Sequence, residues 1–161
     1  KEEVDRVPYR TWAAQGLIEP TPGRAIDKVY IANRLAEVAA RFDLQGIAYD
    51  RHLMPELILI LDRMGVRLPL VPWGQGYVSM APAIDQFETA MLSRKLQHGG
   101  HPILRWNASN AVFSMDPAGN RKLNKERSRD KIDGLVALVM AVGLSARHEG
   151  PAEVDPVAIW M

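Results

Sequence analysis

The chain has 161 residues, 47% of them hydrophobic, no cysteine and a formal net charge of +1. Those values suit one domain with its own core; they exclude a disulfide framework and a thiolate zinc site, and they give no global field that demands nucleic acid. No apolar run approaches the roughly 18 residues of a transmembrane helix, and the opening Lys-Glu-Glu-Val-Asp-Arg carries no signal-peptide pattern.

In chain order, residues 1–6 read as a charged helix end or a frayed terminus. Val7 to Trp12 follows, with Trp12 and Leu17 as anchors. Glu19-Pro20-Thr21-Pro22-Gly23 is a turn by its Pro/Gly chemistry. Apolar residues at Ile26, Val29, Tyr30, Leu35, Val38, Ala39 and Phe42 predict an amphipathic helix over 26–42. The run 44–50 predicts a buried strand with Asp50 at its C-terminal end. A helix over 55–64 ends at Gly65, and a second strand covers 66–71, pushed toward a sheet edge by Pro69 and Pro72. Pro82 suits the first turn of a helix running to Leu92. A short helix is expected over 103–110 and a β-hairpin over 111–115 and 121–123, closed by Asp116-Pro117-Ala118-Gly119-Asn120. Alternating helices and strands point to βαβ units and a partly parallel sheet. The domain spans 1–147, and 148–161, with two prolines, reads as an extended tail.

The stretch 127–138 draws most attention. Ser128 is placed to cap a helix over 129–146. Ile132, Leu135, Val136, Val139, Met140 and Gly143 recur at helical spacing. Asp133 opens that apolar face. A carboxylate pressed toward a core is costly unless it is paired, and either a divalent cation or a nearby Lys or Arg can pair with it. Between Arg121 and Lys131 stand six basic residues (Arg121, Lys122, Lys125, Arg127, Arg129, Lys131) against Glu126 and Asp130. Such a patch is either a solvated loop or a holder of phosphates.

Ligands of open α/β sheets gather beyond the C-terminal strand ends, where Asp50 is expected. If the late helix crosses the sheet, Asp50 and Asp133 converge, with Asp130 on a neighbouring face. Carboxylates suit hard cations such as Mg²⁺, and two metals about 3.5–4 Å apart serve phosphodiester cleavage. The bland alternatives stay open: a strand-end aspartate also serves as a loop residue, and one in a first helical turn also complements the helix dipole. His98 and His101 lack a third ligand partner in the sequence, and Trp73 and Trp106 can stack on bases or simply pack.

An ordered set of segments carries a family resemblance. It runs through Val7-Pro8-Tyr9 with Trp12 and Gly16-Leu17, Thr21-Pro22-Gly23, Ala48-Tyr49-Asp50, and Gly74-Gln75-Gly76 with Ser79-Met80. It continues through His98-Gly99-Gly100, Pro102 to Trp106, Asn110, Asp116 to Asn120, Lys125 and Lys131-Ile132-Asp133-Gly134. The set resembles the C-terminal nuclease domain of the large terminase subunit of tailed bacteriophages. The resemblance implies an α/β, ribonuclease-H-like mixed sheet flanked by helices, with a C-terminal β-hairpin and a closing helix. It implies a metal-dependent endonuclease that cuts concatemeric double-stranded DNA during packaging, with Mg²⁺ or Mn²⁺ in a two-metal site.

By residue match, Asp50 takes the place of the family's second acid and Asp133 that of its late helical acid. Arg121, Lys122, Lys125, Arg127 and Lys131 are assigned to DNA, and Asp130 is a further metal candidate. By that resemblance the family's first acid lies on the first strand, upstream of residue 1, so the chain is expected to lack that strand and ligand, which leaves its activity alone an open question. Expected partners are double-stranded DNA, an upstream packaging ATPase domain, the small terminase subunit and the portal, in the cytoplasm of a bacterial host and without a membrane. The other readings are a non-catalytic DNA- or portal-binding module and a different ribonuclease-H-like nuclease such as a resolvase.

Overall fold

The computed structural model describes residues 7–147 apart from Arg24 and Leu53. The expected helix end at 1–6 and the expected tail at 148–161 lie outside the described residues. Helix α1 (Tyr9–Ala14) follows Pro8, whose carbonyl accepts Trp12 N–H. Helix α2 (Lys28–Arg41) starts at Asp27, whose carboxylate caps Val29 N–H and Tyr30 N–H. Strand β1 (Ile47–Tyr49) leads to helix α3 (Met54–Arg63) and strand β2 (Leu70–Pro72). Helix α4 (Tyr77–Leu92), helix α5 (Pro102–Asn110), strands β3 (Phe113–Met115) and β4 (Arg121–Leu123), and helix α6 (Asp133–Arg147) complete the order.

β1 and β2 pair in parallel, Ile47 opposite Leu70 and Tyr49 opposite Pro72. Trp73 N–H extends the ladder to Tyr49 O at 2.8 Å. β3 and β4 form an antiparallel hairpin, Phe113 opposite Leu123. The single mixed sheet expected from sequence is therefore two separate two-stranded sheets among the described residues. Arg121 explains the separation. Its guanidinium bonds Glu88 and Asp85 on α4, so the hairpin lies on that helix rather than beside β1 or β2. With one neighbour only, β1 is half-buried, not buried as expected.

Gly65 terminates α3 with φ +69°. Its N–H bonds Asp62 O while Val66 N–H bonds Leu61 O, a closure that needs the left-handed conformation glycine adopts freely. α4 starts five residues before the proline expected in its first turn, so Pro82 lies inside the helix. Pro82 withholds the N–H that would bond Val78 O, on a turn where Val78 is 90% exposed and water can take the bond.

Two apolar clusters stabilise the fold. A small one joins Ala32 of α2 to Leu57 and Leu61 of α3. Ile26, Val29 and Phe42, expected on the buried face of α2, are exposed; Leu35 packs inward as expected, joined by Ile31. The large cluster centres on α6, which packs against α4, α5 and β1. It buries Trp73, Met80, Ala83, Ile84 and Leu123 against Ile132, Leu135, Val136, Val139, Met140 and Leu144. At the α4–α6 crossing, a Cβ on Gly143 would lie 2.5 Å from Ala83 Cβ and 2.9 Å from Trp73 Cζ2.

Candidate nuclease site

Asp133 is the first residue of α6, not the fifth of a longer helix. Ser128 does not cap it. The Ser128 hydroxyl donates to Asn124 O at 2.6 Å and accepts Val112 N–H at 3.2 Å, which ties the loop to the hairpin. Residues 129–132 therefore stay extended or bent. Asn124 organises the same loop: its Oδ1 accepts the N–H groups of Glu126 and Arg127, and its Nδ2 donates to Ser114.

The Asp133 side chain is exposed rather than pressed into the core, and of the two partners the sequence allowed the structure supplies the lysine. Lys125 Nζ lies 2.7 Å from Asp133 Oδ1. Lys125, Ser128, Arg129, Asp130, Lys131, Ile132 and Asp133 line a cleft of about 400 Å³. Three cations and two carboxylates thus face one hollow, at the positive end of a 15-residue helix. Asp50, exposed, follows the C-terminal end of β1 as expected; it does not line this cleft, although α6 packs against β1. Among the described residues no group of three or more His, Asp and Glu side chains is close enough to hold a metal ion.

The donor chemistry of the pair nevertheless fits a hard cation. Asp50 Oδ1 accepts only His52 N–H, at 3.1 Å, and Asp133 Oδ1 faces only Lys125, so each Oδ2 has no protein hydrogen bond among the described residues. Asp130 likewise uses one oxygen, for Lys131 N–H. Mg²⁺ is commonly held by one or two carboxylates with water and substrate phosphate completing its shell. Asp116 shows the contrary case. Both its oxygens are taken by the hairpin turn, at Ala118 N–H, Asn120 N–H and Asn120 Nδ2. These bonds, the Asn120 side chain foremost, hold its carboxyl below the usual range.

The basic residues divide by environment. Arg121 is held at 2.7 Å by Glu88 and 2.8 Å by Asp85, which raise its pKa, and it lies over Phe113. Its charge is matched inside the fold, which runs against its assignment to DNA. Lys122 Nζ sits 4.9 Å above the Tyr77 ring. Lys125 pairs with Asp133. Arg127, Arg129 and Lys131 are exposed and make no ion pair among the described residues. His98 Nδ1 accepts Gly100 N–H, shaping its own loop. Trp106 packs against Trp12 with ring centroids 5.4 Å apart and planes tilted by 59°, and Trp73 is buried under Arg147.

Sequence reasoning gave no role to Asn107, or to Asn110 beyond its place in the ordered set of segments. Both are buried and bond the backbone around Asp133. The available signal was their spacing: i and i+3 puts two amides on one face of α5, beside Trp106.

Residues 1–149 match the family described as terminase large subunit, endonuclease domain. The chain belongs to this terminase endonuclease-domain family. It is 42% identical over 143 residues to the terminase large subunit of Enterobacteria phage HK97, covering 89% of this chain and 28% of that protein. The crystal structure of the HK97 large terminase superposes with a TM-score of 0.83 over 89% of this chain and 30% of that one. Protein YmfN of Escherichia coli K12 is 28% identical over 156 residues, covering 88% of this chain and 31% of YmfN. This terminase domain thus spans under a third of the length of the relatives it matches. Among its described residues no helix is long and apolar enough to cross a membrane.

Proposed function

We propose that the chain is the DNA-cleaving domain of a phage packaging terminase, with a ribonuclease-H-like core and Asp50 and Asp133 as metal ligands. The observation that carries the reading is Asp133 at the N-terminus of α6, in a cleft shared with Lys125, Arg129 and Lys131. Mg²⁺ or Mn²⁺, two ions in the full site, would supply Lewis-acid stabilisation of the phosphate and lower the pKa of the attacking water. The chain's own residues do the rest. Asp50 and Asp133 offer oxygen donors. Arg127, Arg129 and Lys131 hold the backbone of double-stranded DNA without reading its bases. Lys125, paired with Asp133 here, would be free to hold a phosphate wherever a cation took its place on that carboxylate. Asp130, on the same cleft, stands next to the ligands as a further candidate.

In the longer protein the domain would work beside a packaging ATPase domain, the small subunit and the portal, in the cytoplasm of the bacterial host. A second reading, a DNA-docking module without cleavage, is favoured by two observations: Lys125 already pairs with Asp133, and no three-ligand cluster stands among the described residues.

The test is plasmid nicking by this chain with Mn²⁺, with and without chelator, beside Asp133→Ala. Chelator-sensitive nicking that disappears in the variant is expected. Equal nicking by variant and parent refutes the assignment of Asp133, and DNA binding without nicking supports the docking module.

A further inference from the structure

We propose that Asn107 is the positioning residue for Asp133: an amide on α5 brackets the first turn of α6 and fixes the direction in which the carboxylate leaves the helix. The inference rests on the reading of Asp133 as a metal ligand.

Val136 N–H bonds Ile132 O, but no side chain of the adjoining loop caps the first turn of α6. The opening N–H groups of a helix lack intrahelical partners, and the residue before the helix, Ile132, has no side-chain oxygen to offer. The second helical residue is Gly134, a poor helix former. Asn107 supplies what the local sequence omits. Its Oδ1 accepts Gly134 N–H at 2.8 Å, and its Nδ2 donates to Lys131 O at 3.0 Å. One amide therefore grips the 133–134 peptide that follows Asp133 and the 131–132 peptide one residue before it. Asn110, three residues along α5, donates to the same Lys131 carbonyl at 3.3 Å.

These groups are fixed in place. Asn107 is 3% exposed and Asn110 6%, and a buried amide is costly unless bonded. Trp106, next to Asn107, packs at a tilt against Trp12 of α1. Gly134 is shaped to this contact: a Cβ there would lie 2.6 Å from Asn107 Oδ1 and 3.7 Å from its Cγ, and would meet nothing else outside its own helix. Only a side chain with both donor and acceptor serves Gly134 N–H and Lys131 O together; aspartate loses the donor and leucine both.

The close approach yields a clean test. Mn²⁺ binding to this chain is titrated by loss of the free-ion EPR signal, for the parent, Asn107→Ala, Gly134→Ala, the double variant and Asp133→Ala. Groups that orient a metal-binding side chain change affinity by about 10–100-fold. Asn107→Ala is expected to raise the Mn²⁺ Kd about tenfold, and Gly134→Ala to do the same by displacing the amide. The double variant is expected to be no weaker than Asn107→Ala alone, because the added methyl then meets empty space. A structural role without positioning lowers the melting temperature but leaves the Kd unchanged, and that result overturns the proposal, as do additive losses in the double variant. Gly134→Ala keeps the test open if Asn107→Ala does not fold. If Asp133→Ala binds Mn²⁺ like the parent, or the parent binds none, the metal reading itself falls. If Asp133→Ala loses binding and Asn107→Ala does not, positioning alone falls.

Discussion

Gly143→Ala tests whether the α4–α6 crossing sets the position of the helix that begins with Asp133. The new methyl would lie 2.5 Å from Ala83 Cβ and 2.9 and 3.0 Å from Trp73 Cζ2 and Cη2. Carbon atoms in good contact stand about 3.5–4.0 Å apart, so the overlap approaches 1 Å against two partners at once. Neither partner can swing aside. Ala83 is 1% and Trp73 2% exposed, and an alanine Cβ moves only with its backbone. Over-packing a filled core costs about 1–3 kcal/mol, and alanine in place of glycine returns about 1 kcal/mol of helix propensity. With rigid partners the cost sits at the upper end, so a net loss of about 2 kcal/mol is expected. That corresponds to a fall in melting temperature of roughly 4–8 °C for a domain of this size. Urea unfolding at unchanged m-value measures it. Adding Ala83→Gly should remove the worst overlap and recover part of the loss. A Gly143→Ala variant as stable as the parent would refute the crossing as described.

Four further outcomes follow from the site, its loop and the hairpin. Lys125→Ala should change stability by no more than about 0.5 kcal/mol, because the pair with Asp133 is largely exposed, but tighten Mn²⁺ binding by removing a competing cation; weaker Mn²⁺ binding would contradict that placement. Replacing Arg127, Arg129 and Lys131 together with alanine should flatten the log–log salt slope of DNA binding by about 2–3. Arg121→Ala should leave that slope unchanged and lower stability instead, and an altered slope would return Arg121 to the DNA face. Asp116 binds its proton more weakly in the fold than in the unfolded chain. Its stabilisation of the hairpin is therefore full above the ordinary carboxylate range and is lost as pH falls below about 4, toward its folded value. Asp116→Asn should abolish that acid dependence, as read from unfolding midpoints across pH 2–6.

The apolar stripe of α6 was legible because periodicity is local information: Ile132, Leu135, Val136, Val139, Met140 and Gly143 are all buried. Asp50 was placed correctly by the same kind of signal, a short apolar run with a polar stop, and the hairpin by its Asp-Pro-Ala-Gly-Asn turn. What escaped depends on partners distant in sequence. Ser128 has cap chemistry, yet Val112 and Asn124 claim its hydroxyl, and the helix starts later for that reason. Arg121 counted toward a basic patch until Glu88, 33 residues away, matched its charge. Asn107 reaches Gly134 across 27 residues, a contact that no spacing rule within one helix contains.

The β1–β2 ladder divides the molecule in a way that bears on how it opens. Successive residues of β2 point to opposite faces: Leu70 packs into the small cluster of α2 and α3, and Val71 into the large cluster of α6. The small side holds three buried side chains and the large side eleven, so the two halves should not share one unfolding free energy. Amides of α2 and α3 should exchange with solvent well before those of α6. The half that can loosen cheaply is then the one without Asp133, and thermal or mechanical strain entering through α2 would dissipate there before it reached the helix on which the carboxylate stands.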